Sequence, residues 1–169
     1  FCPKGKYAGR IIIPSFNNNG DCNYFIARTY VGNYRRYLNP PCGRDIIFNE
    51  LNVDWDEPII LVEGVFDAIV AGDNAIPILG STLREESKLF QAMAIHDTPV
   101  YIALDPDAEK KAHWIIRSLM KYDLEIKKLN IGSYEDIGSM SPEVFQKRLE
   151  NAEEVEGDLY FLEKQLRNI

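Results

Sequence analysis

The segment "PIILVEGVFDAIVAG", residues 58–72, joins an apolar run to a helical pattern. Its apolar run at 59–62 is typical of a strand that is covered on both faces. Residues 65–72 have helical spacing that stops at a glycine. Two acids interrupt this pattern, because Glu63 directly follows the strand and Asp67 comes four residues later. A core strand gains nothing from a carboxylate at its tip, so the acids indicate a functional site.

The same pattern recurs in "VYIALDPDAEKKA", residues 100–112, where an apolar run ends in Asp105 and Asp107. In open parallel sheets, sites form outside the carboxyl ends of the strands. If the two strands are neighbours, Glu63 and both aspartates converge at one edge. Asp67 lies one turn into the following helix and can point to the same place. The spacing therefore predicts a cluster of carboxylates.

Crowded carboxylates need protons or cations to neutralise them. Hard oxygen ligands in a water-accessible cluster favour Mg²⁺ or Mn²⁺. Such an ion completes its shell with water and substrate phosphates, which is the requirement of nucleotidyl or phosphoryl transfer. A second interpretation of Asp107 stays open, since an acid at this position also suits the N-cap of the next helix.

Strands and helices alternate through the rest of this region, which predicts a parallel α/β sheet with flanking helices. A capping box would start the second helix, with Ser81 or Thr82 paired to Glu85 or Glu86. The last predicted helix opens at Ser141 and leaves room for another one after it. The further strands are expected at 75–79, 99–104 and 125–131, and the further helices at 80–95, 107–122 and 141–155.

The first part of the chain is organised differently. Two β-rich runs around the polar turn "NNNGD" predict a hairpin over residues 10–31. A loop rich in Pro, Gly, Tyr and Arg follows, and the next segment, 44–51, fits either a strand or the start of a helix. The polar segment 52–58 ends in proline and predicts a boundary. We therefore divide the chain into a small mixed α+β subdomain at 1–57 and an α/β domain at 58–169.

The net charge of −7 is unevenly distributed. Residues 1–44 hold seven Lys and Arg and a single acid, a formal charge of +6, whereas residues 45–169 carry −13. A basic part beside an acidic part suits a phosphate-binding surface and a metal site. Arginines form forked contacts with phosphates, and interleaved tyrosines can stack on bases of a single strand. These tyrosines are Tyr30, Tyr34 and Tyr37.

Composition excludes several classes of protein. Apolar residues make up 46% of the chain, which is enough for a packed core. No run approaches the ~20 apolar residues of a membrane span, and no signal-peptide pattern is visible. Three widely spaced cysteines without a close pair do not indicate a zinc site. We expect three reduced thiols in a cytoplasmic protein without a membrane partner.

The motifs "VEGVFDAIVAG" and "ALDPDAEKKA" resemble those of the Toprim domain, which DNA primases, topoisomerases and some nucleases share. The resemblance implies a four-stranded parallel sheet with helices on both sides. It implies general acid/base chemistry for Glu63 and divalent-metal binding for Asp105 and Asp107. Asp67 falls on the remaining acid of the first motif.

The segment before Pro58 resembles the part that precedes Toprim in bacterial and phage DNA primases, and is more similar to the phage proteins. It carries "GRIIIPSF", a strand ending in Arg28, and "YRRYLNPP". The resemblance implies that this basic half binds template and nucleotides. Its residues are Arg10, Arg28, Arg35, Arg36, Tyr37 and Asn39. Two plainer roles stay open, a solvated strand end for Arg10 and a core anchor for Tyr37. Later, "YEDIGSMSPEVF" matches a primase stretch in which Asp136 joins the metal site.

The resemblance covers nearly the whole chain and implies a catalytic core cut from a larger protein. Its activity would be metal-dependent synthesis of RNA primers from ribonucleoside triphosphates on single-stranded DNA. A replicative helicase would bind through parts outside this chain, in the cytoplasm, which is the host's if the protein is encoded by a phage. The alternatives are a Toprim-type nuclease, which would not need the "YRRYLNPP" half, and a non-catalytic nucleic-acid-binding module.

Overall fold

A computed structural model describes residues 1–32, 35–80, 82–157 and 160–161. The chain divides into two compact units, Phe1–Val53 and Asp54–Ile169. Among the described residues, no helix combines the length and the apolar character that crossing a membrane requires.

The first unit is built on an antiparallel hairpin of β1 (Arg10–Phe16) and β2 (Cys22–Thr29). The side chain of Asn17 closes the turn by accepting the backbone N–H groups of Asn19 and Asp21. This confirms the predicted hairpin. The segment 44–51, for which two alternatives were open, is irregular and ends in a short 3₁₀ helix at Glu50–Asn52. It still contributes to the core, because Ile47 and Phe48 are buried.

The second unit contains a five-stranded sheet in the order β4-β3-β5-β6-β7. The first four of these strands are parallel and β7 pairs antiparallel with β6. The predicted parallel α/β sheet is confirmed, with a short edge strand added. The strands are β3 (Ile59–Val62), β4 (Ala75–Pro77), β5 (Val100–Ile102), β6 (Ile126–Lys128) and β7 (Glu153–Glu154).

The helices are α1 (Val65–Ala71), α2 (Lys88–His96), α3 (Glu109–Met120) and α4 (Pro142–Glu150). The expected capping box is wrong, because α2 begins later: residues 84–87 form a turn, and the Ser87 hydroxyl accepts the N–H of Phe90. Ser81 lies outside the described residues. The end of the predicted helix 141–155 is also wrong, since α4 stops at Glu150 and β7 follows. A helix after residue 155 falls largely outside the described part.

The sheet core explains why β3 reads as an unbroken apolar run. All four of its side chains are buried. Ile60 and Val62 pack in a cluster with Phe145 of α4 and Ala71 of α1. Because successive side chains of a strand point to opposite faces, Ile59 and Leu61 are buried on the other face of the sheet. A strand buried on both faces can present polar groups only at its ends, and Glu63 stands at such an end.

Candidate functional site

Three carboxylates meet at the carboxyl edge of the sheet. Glu63 follows β3, and Asp105 and Asp107 follow the neighbouring strand β5. One ligand atom from each lies within 4.8 Å of the other two. The adjacency of β3 and β5, which the sequence analysis required as a condition, is thus present.

The turn after β3 positions Glu63. Gly64 is the N-cap of α1 in an extended conformation, and a side chain there would meet the Asp67 carboxylate at 3.0 Å. Glu63 itself is partly buried, with its side chain 26% exposed. Its Oε2 pairs with the ammonium of Lys111 at 3.1 Å, whereas its Oε1 is buried without a hydrogen-bond partner among the described residues.

The two aspartates of the second motif keep their carboxylates available. Asp105 precedes a 3₁₀ helix at Pro106–Ala108, and its side chain makes no cap hydrogen bond. Asp107 is exposed and lies inside that 3₁₀ helix, while Ala108 is the N-cap of α3. The capping interpretation of Asp107 is therefore not what the structure shows. Oδ1 of Asp105 is buried without a hydrogen-bond partner in the described part of the chain.

The cluster is strongly anionic, with Lys111 as its one paired cation among the described residues. Burial, and after it the charges of four neighbouring carboxylates led by Asp67 and Glu63, together raise the pKa of the Asp105 carboxyl to about 7. A carboxyl in this state is stabilised either by a proton or by a cation.

Asp67 takes a different position from the other acids. It is 8% exposed, and both of its carboxylate oxygens accept backbone N–H groups, from Gly64 at 2.8 Å and from Gly138 at 3.0 Å. Burial raises its pKa, while these two hydrogen bonds act in the opposite direction. The structure gives Asp67 a positioning role, because it ties the turn behind Glu63 to the loop at residue 138. The predicted metal contact of Asp67 stays a prediction.

Asp136 lies on that same loop. It precedes a 3₁₀ helix at Ile137–Ser139 and makes no side-chain cap. A side chain at Gly138 would meet Asp67 Oδ1 at 3.1 Å and Asp136 Oδ1 at 3.6 Å, so glycine allows the two carboxylates to approach. The charge of Asp136 contributes to the raised pKa values of Asp67 and Asp105. Asp136 therefore lies beside the cluster, although it is not one of the three mutually close ligands.

The residues present fit a hard divalent cation. The site offers three carboxylates, and two of them have a buried oxygen without a hydrogen-bond partner in the described chain. Mg²⁺ and Mn²⁺ prefer oxygen donors and keep positions for water and phosphate. A cavity of about 250 Å³ lies near the same edge, where Leu104 and Pro106 follow β5 and Asn130 follows β6.

In the first unit, three of the predicted nucleic-acid residues form one group. Tyr37 is 45% exposed, and the guanidinium groups of Arg28 and Arg36 lie 5.8 and 5.9 Å from the centre of its ring. Tyr37 and Arg28 also pair as an isolated antiparallel bridge. An exposed ring flanked by two cations is suited to stacking on a base and to holding phosphate. The core-anchor interpretation of Tyr37 does not agree with this exposure.

Arg10 and Asn39 are used internally. Arg10 is 7% exposed, and its guanidinium donates to the carbonyls of Ala27, Arg36 and, at 2.8 Å, Arg35. The Asn39 side chain accepts the N–H of Ala27 at 3.2 Å. Both residues order the loop that presents Tyr37, which does not match the solvated role of Arg10. The predicted nucleic-acid contacts of Arg10 and Asn39 stay predictions.

Three further predicted residues of the first unit are Arg35, Tyr30 and Tyr34. Arg35 is exposed, with a positive φ of 48°. Tyr30 is 52% exposed and contacts the ring of Phe1 edge to face. Tyr34 lies outside the described residues.

Sequence reasoning missed Lys111 as a residue of the acidic site. The signal was the pair of lysines in "DPDAEKKA", one of which had to face inward if the first turn of α3 covers the sheet edge. Spacing alone does not separate Lys110 from Lys111. The structure does, because Lys111 pairs with Glu63 whereas Lys110 is exposed.

No family model and no curated protein matches this sequence. Solved structures do match. The primase of Aquifex aeolicus, zinc-binding and RNA polymerase domains, is 24% identical, with a TM-score of 0.70 over 90% of this chain and 42% of that chain. A DNA primase domain from Pseudomonas aeruginosa is 21% identical, with a TM-score of 0.72 over 96% of this chain and 57% of the other.

A DnaG primase catalytic domain bound to single-stranded DNA is 18% identical, with a TM-score of 0.69 over 88% of this chain and 53% of that chain. The chain thus has the fold of primase catalytic cores and spans about half the length of these solved structures. At these identities the likeness establishes the fold.

Proposed function

We propose that this chain is part of the catalytic core of a DNA primase and synthesises RNA primers from ribonucleoside triphosphates on single-stranded DNA. One observation carries the proposal. Glu63, Asp105 and Asp107 converge at the carboxyl edge of a parallel sheet, and this sheet belongs to a fold that primase catalytic cores share. Sites of open α/β sheets form at that edge.

The acids form a Toprim-type centre for Mg²⁺ or Mn²⁺. Glu63, Asp105 and Asp107 hold the ion, and Asp136 joins them from its loop. When bound, the ion supplies charge stabilisation to the phosphates of the incoming nucleotide. Asp67 keeps the Glu63 turn and the Asp136 loop in register through its two backbone hydrogen bonds.

The reaction joins the 3′-hydroxyl oxygen of one nucleotide to the α-phosphorus of the next, and pyrophosphate leaves. The hydroxyl proton needs an acceptor at the reacting edge. Glu63 serves as this base through the carboxylate oxygen that does not hold the ion, because the residue belongs to the cluster and only its Oε2 is paired, with Lys111. General base catalysis of this kind requires a carboxylate within hydrogen-bond reach of the hydroxyl.

The first unit holds nucleic acid. Tyr37 stacks on a base of the single strand, and Arg28 and Arg36 contact phosphates. The primase catalytic domain solved with single-stranded DNA supports this choice of partner. Arg10 and Asn39 act through the loop that they order.

The wider setting of the core follows from the same proposal. We expect a replicative helicase to bind through parts outside this chain. The protein works in the cytoplasm, that of the host if its gene belongs to a phage.

The test is incorporation of labelled ribonucleotides on single-stranded DNA, with and without Mg²⁺ or Mn²⁺, including a template that carries a short RNA primer. Primase activity gives labelled RNA in the presence of metal, and Asp105→Asn loses it. The matched control is Asp73→Asn, which changes an exposed aspartate away from the cluster.

Two outcomes contradict primase activity. Metal-dependent shortening of the template would identify a nuclease, and a shift of the template without any product would identify a binding module.

A further inference from the structure

Among the described residues, Lys111 is the cation that forms an ion pair with a carboxylate of the acidic cluster. Its ammonium lies 3.1 Å from Glu63 Oε2, and its side chain is only 16% exposed. Removing a lysine this far from water is unfavourable unless an anion compensates. Here the anion belongs to the three carboxylates of the candidate metal centre.

The position of Lys111 within its helix does not by itself favour a cation. Lys111 is in the first turn of α3, which begins at Glu109. The first turn carries the positive end of the helix dipole and favours acids over cations. Helix propensity and dipole therefore do not account for a half-buried ammonium at this place, whereas the acidic cluster does.

The charge balance connects Lys111 to the metal ion. Fully ionised, Glu63, Asp105, Asp107 and the adjacent Asp136 carry four negative charges, and Lys111 offsets one of them. A divalent ion offsets two more, so both cations are needed to compensate most of this charge. An ion held by Glu63 would lie within about 7 Å of the ammonium, given metal–oxygen distances of ~2.1 Å. At that separation the two cations repel each other.

We propose that Lys111 is the resident counterion of the metal site and makes the site selective for a metal–nucleotide complex over the free metal ion. In the metal-free protein it holds Glu63 in place. It repels a free divalent cation, but it attracts the complex of that cation with a nucleoside triphosphate, whose net charge is negative. Its flexible four-carbon stem lets the ammonium turn from Glu63 to a phosphate oxygen. This inference rests on the proposed nucleotidyl transfer.

The experiment compares Lys111→Met with the wild-type chain in two calorimetric titrations, one with Mn²⁺ alone and one with Mn²⁺ and a non-hydrolysable ATP analogue. Lys111→Met is expected to bind free Mn²⁺ about tenfold more tightly, because the repelling charge is gone. It should bind the Mn²⁺–nucleotide complex about tenfold more weakly, because a charged hydrogen bond to phosphate is lost. Lys110→Met is the matched control and leaves both affinities unchanged, since Lys110 is exposed.

Opposite changes in the two affinities separate this role from a merely structural one, which would weaken both. Lys111→Arg keeps the charge and should restore the wild-type preference. Unchanged or weaker Mn²⁺ binding by a folded Lys111→Met variant overturns the inference, even if the wild-type chain synthesises RNA. If Lys111→Met binds Mn²⁺ more tightly but the wild-type chain makes no RNA, Lys111 is a counterion of the metal site and the proposed function is rejected. Absence of Mn²⁺ binding in both forms overturns both.

Discussion

Replacing Asp105 by asparagine should stabilise the metal-free protein while removing its proposed function. The substitution keeps the shape of the side chain and deletes its charge. Burial and neighbouring carboxylates raise the pKa of Asp105 from 3.8 to about 7. The folded state therefore holds a proton that the unfolded state releases, and the contribution of Asp105 to stability is full below pH 3.8 and is lost as the pH rises through about 7.

The size of the effect follows from that shift. Three pKa units correspond to at most ~4 kcal/mol, at about 1.4 kcal/mol for each unit. Asp105 is partly exposed, so solvent screening reduces the expected gain to about 1–2 kcal/mol at pH 8. At pH 5 most of the penalty is absent in the wild-type chain, and the gain should fall to less than half.

Urea unfolding in the presence of EDTA at both pH values measures this gain. Asp73→Asn is the control and should change the free energy of unfolding by little, since Asp73 is exposed. An Asp105→Asn variant that is less stable than the wild-type chain at pH 8, or that gains the same stability at both pH values, would show that the charge of Asp105 does not destabilise the fold. In saturating Mn²⁺ the wild-type chain should be more stable than Asp105→Asn, because the ion stabilises the protein that binds it.

Two further predictions concern the positioning of the site and the nucleic-acid surface. Asp67→Asn replaces one carboxylate oxygen by an N–H donor, so a backbone N–H of Gly64 or Gly138 loses its acceptor. Urea unfolding should show a loss of about 1–3 kcal/mol in the free energy of unfolding. An unchanged stability would argue against the positioning role of Asp67. Tyr37→Ala should weaken binding of a labelled single-stranded oligonucleotide by about 1–3 kcal/mol in fluorescence anisotropy, whereas Tyr37→Phe keeps the ring and the affinity. Tyr122→Ala, which removes a similarly exposed tyrosine of the second unit, is the control, and an equal loss in that variant would count against a specific role for Tyr37.

Periodicity was enough to predict the sheet and the acidic edge. The run at 59–62 is a strand because its four apolar side chains are buried on two faces, and a sequence records such burial directly. The convergence of Glu63 and Asp105 required β3 and β5 to be neighbours, which follows from common α/β topology rather than from the residues alone.

Other features depend on contacts that a sequence does not display. Arg10 looks like a surface cation in the sequence, but the folded hairpin brings the carbonyls of Arg35 and Arg36 to its guanidinium. The start of α2 was predicted too early because several residues before it could cap a helix. In the structure, the turn at 84–87 places Ser87 at the N-cap. Strand β7 consists of two exposed glutamates, which carry no strand pattern.

The positioning role of Asp67 was hidden for a similar reason. The spacing of the first motif brings it to the site, but the backbone N–H of Gly138, far along the chain, is what occupies its Oδ1. Only the folded loop shows that this aspartate joins two segments.

The position of Mn²⁺ in crystals of this chain, located by anomalous scattering, would show directly whether the acids bind metal. We expect a peak bound by carboxylate oxygens of Glu63, Asp105 and Asp107, which is lost in Asp105→Asn crystals. A peak bound elsewhere, or none at saturating Mn²⁺, would contradict the claim that these acids form the metal centre.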